Sequence, residues 1–150
     1  MRLFIDGDAF PNLLKPTMFR AIERFALSTV VVSNKRIDIG ISENISYIVV
    51  DLGADEADNY IVEMITEGDL VITADIPLAD RVISKNAYAI DHRGERFCED
   101  NIKQYLSMRN LMQEIRDNGG ETKGPVAFKK KDVQEFANQL NKLLVSIRKK

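Results

Sequence analysis

The sequence predicts an α/β fold, a three-layer α/β/α sandwich with a mainly parallel sheet and two further helices at the C-terminus. Two observations lead to this class. Short apolar runs alternate with amphipathic helical segments as far as residue 91, an order typical of parallel sheets with right-handed crossovers. The apolar runs are also continuous instead of alternating, as in strands covered on both faces.

Five short runs rich in β-branched or apolar residues are predicted as strands, at residues 3–5, 29–32, 47–50, 70–73 and 88–90. The segments between them carry apolar residues at three- and four-residue spacing, as on the buried side of a helix. The segment 35–46 is interrupted by Gly40 and Asn44 and is open between an edge strand and an ordered loop. The helical positions are Met18, Ile22 and Phe25; Ala57, Ile61, Met64 and Ile65; and Leu78, Val82 and Ile83.

Two longer helices are predicted after Asp91, at about 99–118 and 131–148, separated by a glycine-containing segment. The second has one apolar stripe, which we expect to be buried within the same chain and not in a dimer contact. No linker marks a boundary, so residues 1–150 are expected to form one domain with a helical extension from about residue 99. The stripe consists of Val133, Phe136, Ala137, Leu140, Leu143, Leu144 and Ile147.

Composition limits the classes of partner. The 23 acidic and 21 basic residues give a formal charge of −2, which provides no overall attraction to nucleic acid or to an anionic membrane. A phosphate-binding surface would therefore have to be a local patch. The lone Cys98, the early acid Asp6 and the lack of an apolar run of roughly 20 residues together favour a cytoplasmic protein without membrane spans. The oligomeric state stays open.

Acidic residues follow three of the predicted strands. Asp6 and Asp8 come after the first strand, Asp58 lies at the start of the helix after the third, and Asp75 closes the fourth. The carboxyl ends of parallel strands form the ligand crevice of such sheets, so these acids can converge there. Crowded carboxylates repel by about 4 kcal/mol per pair at 4 Å, and they need bound protons or a cation. Oxygen ligands without histidine or cysteine favour Mg²⁺ or Mn²⁺.

Each of these acids also has a structural interpretation. Asp75, followed by Pro77, is a good helix N-cap; Asp58 can complement a helix dipole, and Asp8 can shape a turn. The functional interpretation therefore depends on the set and not on any single member.

Four further residues are candidates for binding substrate. Thr73 offers a hydroxyl and Asn34 an amide near the same crevice, although a turn role is open for both. Arg93 and Arg109 are candidate phosphate binders, with ion pairing as the alternative. His92, the only histidine, has no serine, cysteine or acid around it in a triad pattern, and no glycine-rich nucleotide motif follows any strand.

Several motifs together carry a family resemblance over nearly the whole chain. They resemble the YaiI/YqxD family of uncharacterised bacterial proteins, and the long run at 69–79 is the most specific of them. The motifs are Asp6-Gly7-Asp8-Ala9-Phe10-Pro11, Asn34, Ala57-Asp58-Asn59, the run DLVITADIPLA at 69–79, Arg93-Gly94-Glu95 and Met108-Arg109-Asn110-Leu111-Met112.

The family in turn is similar to the PIN-like nucleases, which hold Mg²⁺ or Mn²⁺ in an acidic pocket and cleave RNA. The resemblance implies that Asp6, Asp58 and Asp75 are metal ligands, with Asp8 as a near neighbour. Phe10 stands where many relatives are expected to have cysteine. The fourth acid of a PIN pocket has no secure match, with Asp80 and Asp91 as candidates.

Three functions follow as hypotheses. The first is a metal-dependent phosphodiesterase acting on RNA, or on DNA, in which Asp6, Asp58 and Asp75 hold the ion and Asp8 orients water. The second is a non-catalytic PIN-like module that binds nucleic acid or protein. The third is a phosphatase of a small phosphorylated metabolite. A basic rim near the acids would favour nucleic acid; its candidates are Lys35, Arg36, Arg93, Arg96 and Arg109.

Overall fold

The computed structural model describes residues 1–53, 55–122, 124 and 126–148. Within these ranges, six strands form one sheet and five α-helices surround it. The strands are β1 (Arg2–Asp6), β2 (Ser28–Ser33), β3 (Ile45–Val49), β4 (Leu70–Ile72), β5 (Tyr88–Ile90) and β6 (Arg96–Phe97). The helices are α1 (Lys15–Phe25), preceded by a 3₁₀ turn at Asn12–Leu14, then α2 (Glu56–Met64), α3 (Ile76–Ser84), α4 (Glu99–Asp117) and α5 (Lys130–Arg148).

The strand order is β3-β2-β1-β4-β5-β6, with parallel pairing from β3 to β5 and an antiparallel β5–β6 pair. The chain builds outward from β1 through β2 to β3, and then returns to add β4 on the other side of β1. Such a reversal opens a crevice at the carboxyl ends of the two central strands. Asp6 ends β1 at this point, and Thr73 directly follows β4.

Helices cover both faces of the sheet, which confirms the predicted three-layer α/β/α arrangement. Leu3 and Ile5 of β1 point to the layer of α1 and α5, whereas Phe4 between them points to the layer of α2, α3 and α4. This alternation explains the continuous apolar runs, because both faces of each central strand are buried. The expected stripe on α5 is confirmed within the chain: Phe136, Leu140, Leu143 and Leu144 are buried, and Val133 and Ile147 pack against the same core.

Two features differ from the prediction. The strand β6 was not predicted, because two residues give no periodic pattern. The open segment is an irregular loop through residue 44, and β3 begins at Ile45, inside it. The Tyr47 hydroxyl orders this loop by accepting from the backbone N–H groups of Ile39 (3.1 Å) and Gly40 (3.2 Å) and donating to the Gly40 carbonyl (2.7 Å). A tyrosine on the following strand thus orders the β2–β3 connection, which contains no helix.

None of the helices in the described ranges is both long and apolar enough to cross a membrane.

Candidate functional site

Asp6 and Thr73 join the two central strands at the crevice. Asp6 is only 6% exposed, and its Oδ2 accepts a hydrogen bond from the Thr73 hydroxyl at 2.8 Å. The same hydroxyl oxygen accepts from the backbone N–H of Asp75 at 3.0 Å. Burial raises the pKa of Asp6 to about 6, despite the hydrogen bonds from Thr73 and from the Asp8 backbone; the Asp8 and Asp75 charges add to the increase. Thr73 therefore fixes the position of Asp6 and also orders the loop that carries Asp75.

Gly7 lets the chain turn closely past β2 between the two N-terminal acids. Its N–H donates to the Val32 carbonyl at 2.8 Å, and a Cβ at this position would lie 2.9 Å from Cβ of Ser33. Asp8 follows, and its Oδ1 accepts from the backbone N–H of Asn34 at 2.9 Å. Asp8 thus ties the β1–α1 loop to the end of β2, which is the turn role that its sequence context allowed. Asn34 contributes its backbone to this contact.

Gly7→Ala is expected to reduce the free energy of unfolding by about 1–3 kcal/mol, because the added methyl group overpacks a site bounded by Ser33 and by Ile37 Cδ1 at 3.0 Å. Gly124→Ala is the matched control, since a Cβ there meets no atom within 4 Å. Urea denaturation of the two variants and the parent checks this. Equal stability of all three proteins would contradict the close packing around Gly7, since it would mean that a methyl group can be accommodated there.

Asp75 is the N-cap of α3. Its Oδ1 accepts from the Leu78 N–H at 3.0 Å, and Pro77 lies in the first turn, where its missing N–H costs nothing. The structural interpretation of Asp75 is therefore correct. It does not exclude a second role, because the side chain is exposed and its carboxyl group also lies within hydrogen-bond reach of Asp58.

Asp58 lies in the first turn of α2 and faces the other acids. Burial and, after it, the negative charges of Asp75, Asp6 and Asp55 together raise the pKa of Asp58 to about 7, and the hydrogen bond to Asp75 acts in the same direction. A helix N-terminus would by itself favour the ionised carboxylate, so repulsion and burial outweigh the helix dipole here. Acids from three separate elements therefore interact at the crevice, as the sequence predicted.

The contacts leave few free oxygens on these acids. Both oxygens of Asp6 accept hydrogen bonds, from Asp8 N–H and from Thr73, and one oxygen of Asp75 caps α3. Among the described residues, no group of three or more histidine, cysteine, aspartate or glutamate side chains has an arrangement that could hold a metal ion. Ion binding at this crevice would therefore require side-chain adjustment, above all of Asp58 and Asp75.

The two candidates for a fourth acid are engaged elsewhere. Asp80 lies within α3 and pairs with Lys103 at 3.8 Å. Asp91 closes the β5–β6 turn, where its Oδ1 accepts from the N–H groups of Arg93 and Glu95, both at 2.9 Å. Neither contact involves Asp6, Asp58 or Asp75.

The predicted phosphate-binding arginines have structural partners. Arg93 pairs with Asp132 at 2.8 Å, donates to the Val126 carbonyl and stacks over the Phe128 ring. It thereby holds the segment before α5 against the β5–β6 turn. Arg109 lies on an exposed stretch of α4 and contacts the neighbouring Asn110 at 3.3 Å. Substrate binding by either arginine stays a prediction.

The other basic candidates divide into two groups. Arg96, on β6, stacks over the Tyr88 ring at 5.2 Å. Lys35 and Arg36 are exposed and directly follow β2, so their backbone lies at the sheet edge where the acids gather. Among the basic residues predicted to form a rim around the acids, Lys35 and Arg36 are the best placed to do so.

Sequence reasoning did not anticipate the position of His92. It is 8% exposed, its ring packs edge-on against Phe10 with centroids 5.4 Å apart, and its Nε2 is buried without a hydrogen-bond partner among the described residues. Burial, with a smaller contribution from Arg93, lowers its pKa to about 4, so the ring is neutral at pH 7. His92 thus supports the loop that carries Asp8. The loop with Phe10 after β1 and the turn with His92 after β5 come together because of the strand order, which could not be predicted from the sequence.

A family comparison agrees with the motifs. The sequence model of the family described as "Uncharacterized BCR, YaiI/YqxD family" matches residues 4–146 of this chain. The chain belongs to this family. Its YaiI/YqxD relatives include UPF0178 proteins of Sulfurimonas denitrificans (67% identical, 96% of this chain and 95% of the relative), Sulfurovum sp. (64%, 96% and 97%) and Nitratiruptor sp. (55%, 100% and 99%).

One solved structure is a distant match to this YaiI/YqxD protein. A homospermidine synthase from Legionella pneumophila aligns with a TM-score of 0.48 and 15% identity, over 83% of this chain and 35% of that one. Nothing about fold or function is transferred at that distance.

Proposed function

We propose that this protein is a metal-dependent phosphodiesterase that cleaves RNA at the crevice between β1 and β4. One observation carries the proposal: carboxyl groups from three elements meet where the strand order reverses, and their burial and repulsion raise the pKa of Asp6 to about 6 and that of Asp58 to about 7. Excess negative charge at a ligand crevice is a feature of cation sites and of general bases that work near neutral pH.

The chemistry of the donors suits Mg²⁺ or Mn²⁺ once the side chains of Asp58 and Asp75 adjust. All candidate ligands, Asp6, Asp58 and Asp75, are hard carboxylate oxygens, and the neighbouring Thr73 adds only a hydroxyl. When bound, such an ion would stabilise the charge that develops on the phosphoryl oxygens. Its binding would relieve the repulsion that, after burial, adds to the two raised pKa values.

The chain's own residues would supply the remaining functions. Asp8, one carboxylate oxygen of which is held by the Asn34 N–H, would orient the attacking water and accept its proton as the bond from phosphorus to the leaving oxygen breaks. Thr73 would hold Asp6 at the crevice, and the α3 cap would hold Asp75. Lys35 and Arg36 would attract the RNA backbone as a local basic rim.

The resemblance to PIN-like nucleases supports RNA as the substrate over the alternatives. A phosphatase would use the same acids on a small phosphate monoester, and a non-catalytic module would bind without cleavage. One experiment separates the three. Purified protein is incubated with single-stranded RNA, single-stranded DNA and p-nitrophenyl phosphate, each with Mn²⁺, with Mg²⁺ or with excess chelator.

The expected result is RNA cleavage that needs Mn²⁺ or Mg²⁺ and stops in chelator. Release of nitrophenol without RNA cleavage would replace the proposal by the phosphatase. Retention of intact RNA on the protein, with no cleavage under any condition, would replace it by the binding module. Cleavage at full rate in chelator would contradict the metal site.

Variants of Asp75 separate its ligand role from its cap role. Asparagine caps a helix about as well as aspartate, whereas alanine typically loses about 1 kcal/mol. We therefore expect Asp75→Asn to keep or raise the metal-free melting temperature, since it removes repulsion with Asp58, and to reduce the increase in melting temperature on adding Mn²⁺. Asp75→Ala should have a lower metal-free melting temperature and also a smaller increase on adding Mn²⁺. Thermal melts with chelator and with Mn²⁺ check this. If Mn²⁺ raises the melting temperature of Asp75→Asn as much as that of the parent, Asp75 is a helix cap and not a metal ligand.

A further inference from the structure

A cavity lies in the helical layer of α1 and α5, apart from the acidic crevice. The groove between these helices has a volume of about 680 Å³, within the range of roughly 300–1,000 Å³ that is usual for small-molecule sites. Its apolar lining includes Ala21, Phe25, Val133 and Leu140. The acids Asp58 and Asp75 are carried by α2 and by the start of α3, on the opposite side of the sheet.

The charged residues of the groove have one sign. Arg20 and Arg24 line it one helical turn apart, and no aspartate or glutamate is among the described lining residues. The Arg20 guanidinium donates to the Thr17 hydroxyl at 3.2 Å, and Arg24 stacks over the Phe25 ring. Neither guanidinium lies within ion-pairing distance of a carboxylate in the described part of the chain. In a protein with a net negative charge, this groove is thus a local concentration of positive charge.

The α5 wall adds unused hydrogen-bonding capacity. Asn141 lines the groove, and its side-chain Oδ1 is buried without a hydrogen-bond partner among the described residues. An unpaired buried amide oxygen costs roughly 1–3 kcal/mol. Rotation of the amide would let a ligand hydroxyl or amino group supply the missing donor.

We propose that the α1–α5 groove binds a phosphate monoester with an organic body about the size of a nucleoside. A monoester carries a charge of about −1.5 to −2 at pH 7, which matches two guanidinium groups. The apolar lining contacts the organic body, and Asn141 accepts from one of its hydroxyl or amino groups. Inorganic phosphate satisfies only the first of these three contacts.

Isothermal titration of the full chain in excess chelator tests this, with AMP, GMP, CMP, UMP and ribose 5-phosphate as probes and with adenosine and orthophosphate as partial ligands. At least one monoester is expected to bind with a Kd below about 1 mM, and both partial ligands should bind at least tenfold more weakly. Arg20→Gln and Arg24→Gln should each weaken binding by about 10- to 100-fold. The control Arg116→Gln, on exposed α4, should change nothing.

Asn141→Leu distinguishes a ligand contact from a structural role. We expect it to weaken monoester binding about fivefold or more, while the melting temperature stays equal or rises because the unpaired oxygen is removed. Asp6→Asn should bind the monoester as the parent does, so failure here and failure of the nuclease proposal are distinguishable.

Three results would overturn the groove site. They are no binding of any monoester, binding that survives both arginine substitutions, and orthophosphate binding as tight as that of the best monoester. Arginine-dependent binding of an RNA oligonucleotide without binding of mononucleotides would also overturn it, in favour of a path for a nucleic-acid strand.

Discussion

Asp6→Asn is expected to lower the Mn²⁺-dependent rate of RNA cleavage by at least about 100-fold, the scale seen when a central charged group of an active site is removed. Asp6 is the most buried of the interacting acids and ends the central strand β1. Its carboxylate therefore has no neighbour that can take its place. Single-turnover cleavage of a labelled RNA, followed on a gel, measures the effect.

Asp117→Asn is the control, since that exposed aspartate lies at the far end of α4 and contacts Gln113. It removes the same charge from the chain and should leave the rate unchanged. Asparagine can still accept from Thr73, so Asp6→Asn should fold, and its melting temperature in chelator reports this. A folded Asp6→Asn protein that cleaves RNA at the parent rate would remove Asp6 from the site.

In the metal-free protein, Asp6 and Asp58 are expected to contribute less stability as pH rises from about 4 to about 7, because their pKa values are raised. His92, whose pKa is lowered to about 4, contributes in the opposite sense. Asp6 and Asp58 titrate at about 6 and 7 in the folded protein, against 3.8 unfolded. Between these values each of the two carboxyls binds more protons in the folded than in the unfolded state, so its contribution to the free energy of unfolding falls with rising pH. For Asp6, the difference between 3.8 and about 6 corresponds to about 3 kcal/mol.

Asp58→Asn removes the larger of the two shifts and part of the repulsion on its neighbours. We therefore expect the variant to gain stability relative to the parent as pH rises from 4 to 8, while Asp117→Asn stays parallel to the parent. Comparing the variant with the parent cancels the contributions of groups that titrate in the opposite sense, such as Asp69 and His92, whose pKa values are lowered. Urea denaturation in chelator across this pH range measures it; parallel curves for Asp58→Asn and the parent would mean that Asp58 is not crowded.

Much of the fold could be predicted because the central strands are covered on both faces. Leu3, Phe4 and Ile5 form a continuous apolar run, and the structure buries Phe4 against one helical layer and its two neighbours against the other. The two-residue β6 has too few positions to show a period. The connection before β3 could not be assigned either, because its order depends on a hydroxyl contributed by Tyr47.

Part of the candidate site could likewise be predicted from the sequence, and part of it could not. The sequence predicted that the acids after β1, β3 and β4 gather at one edge, since carboxyl ends of parallel strands share an edge. It could not predict that Thr73 bridges Asp6 to the backbone of Asp75, or that Asp58 reaches Asp75, because these contacts depend on which strands are neighbours. The ion pair of Arg93 with Asp132 also depends on a tertiary contact, whereas Asp91 orders the β5–β6 turn through local hydrogen bonds.

Direct titration of Mn²⁺ tests the central claim, that the acids at the β1–β4 crevice hold a divalent ion. Free Mn²⁺ is followed by its electron paramagnetic resonance signal at pH 8, where Asp6 and Asp58 are ionised. We predict saturable binding by the parent and by Asp117→Asn, at least tenfold weaker binding by Asp6→Asn and by Asp58→Asn, and competition by Mg²⁺. Equal Mn²⁺ affinity in all four proteins, or no saturable binding by the parent, would contradict the metal site and with it the proposed chemistry.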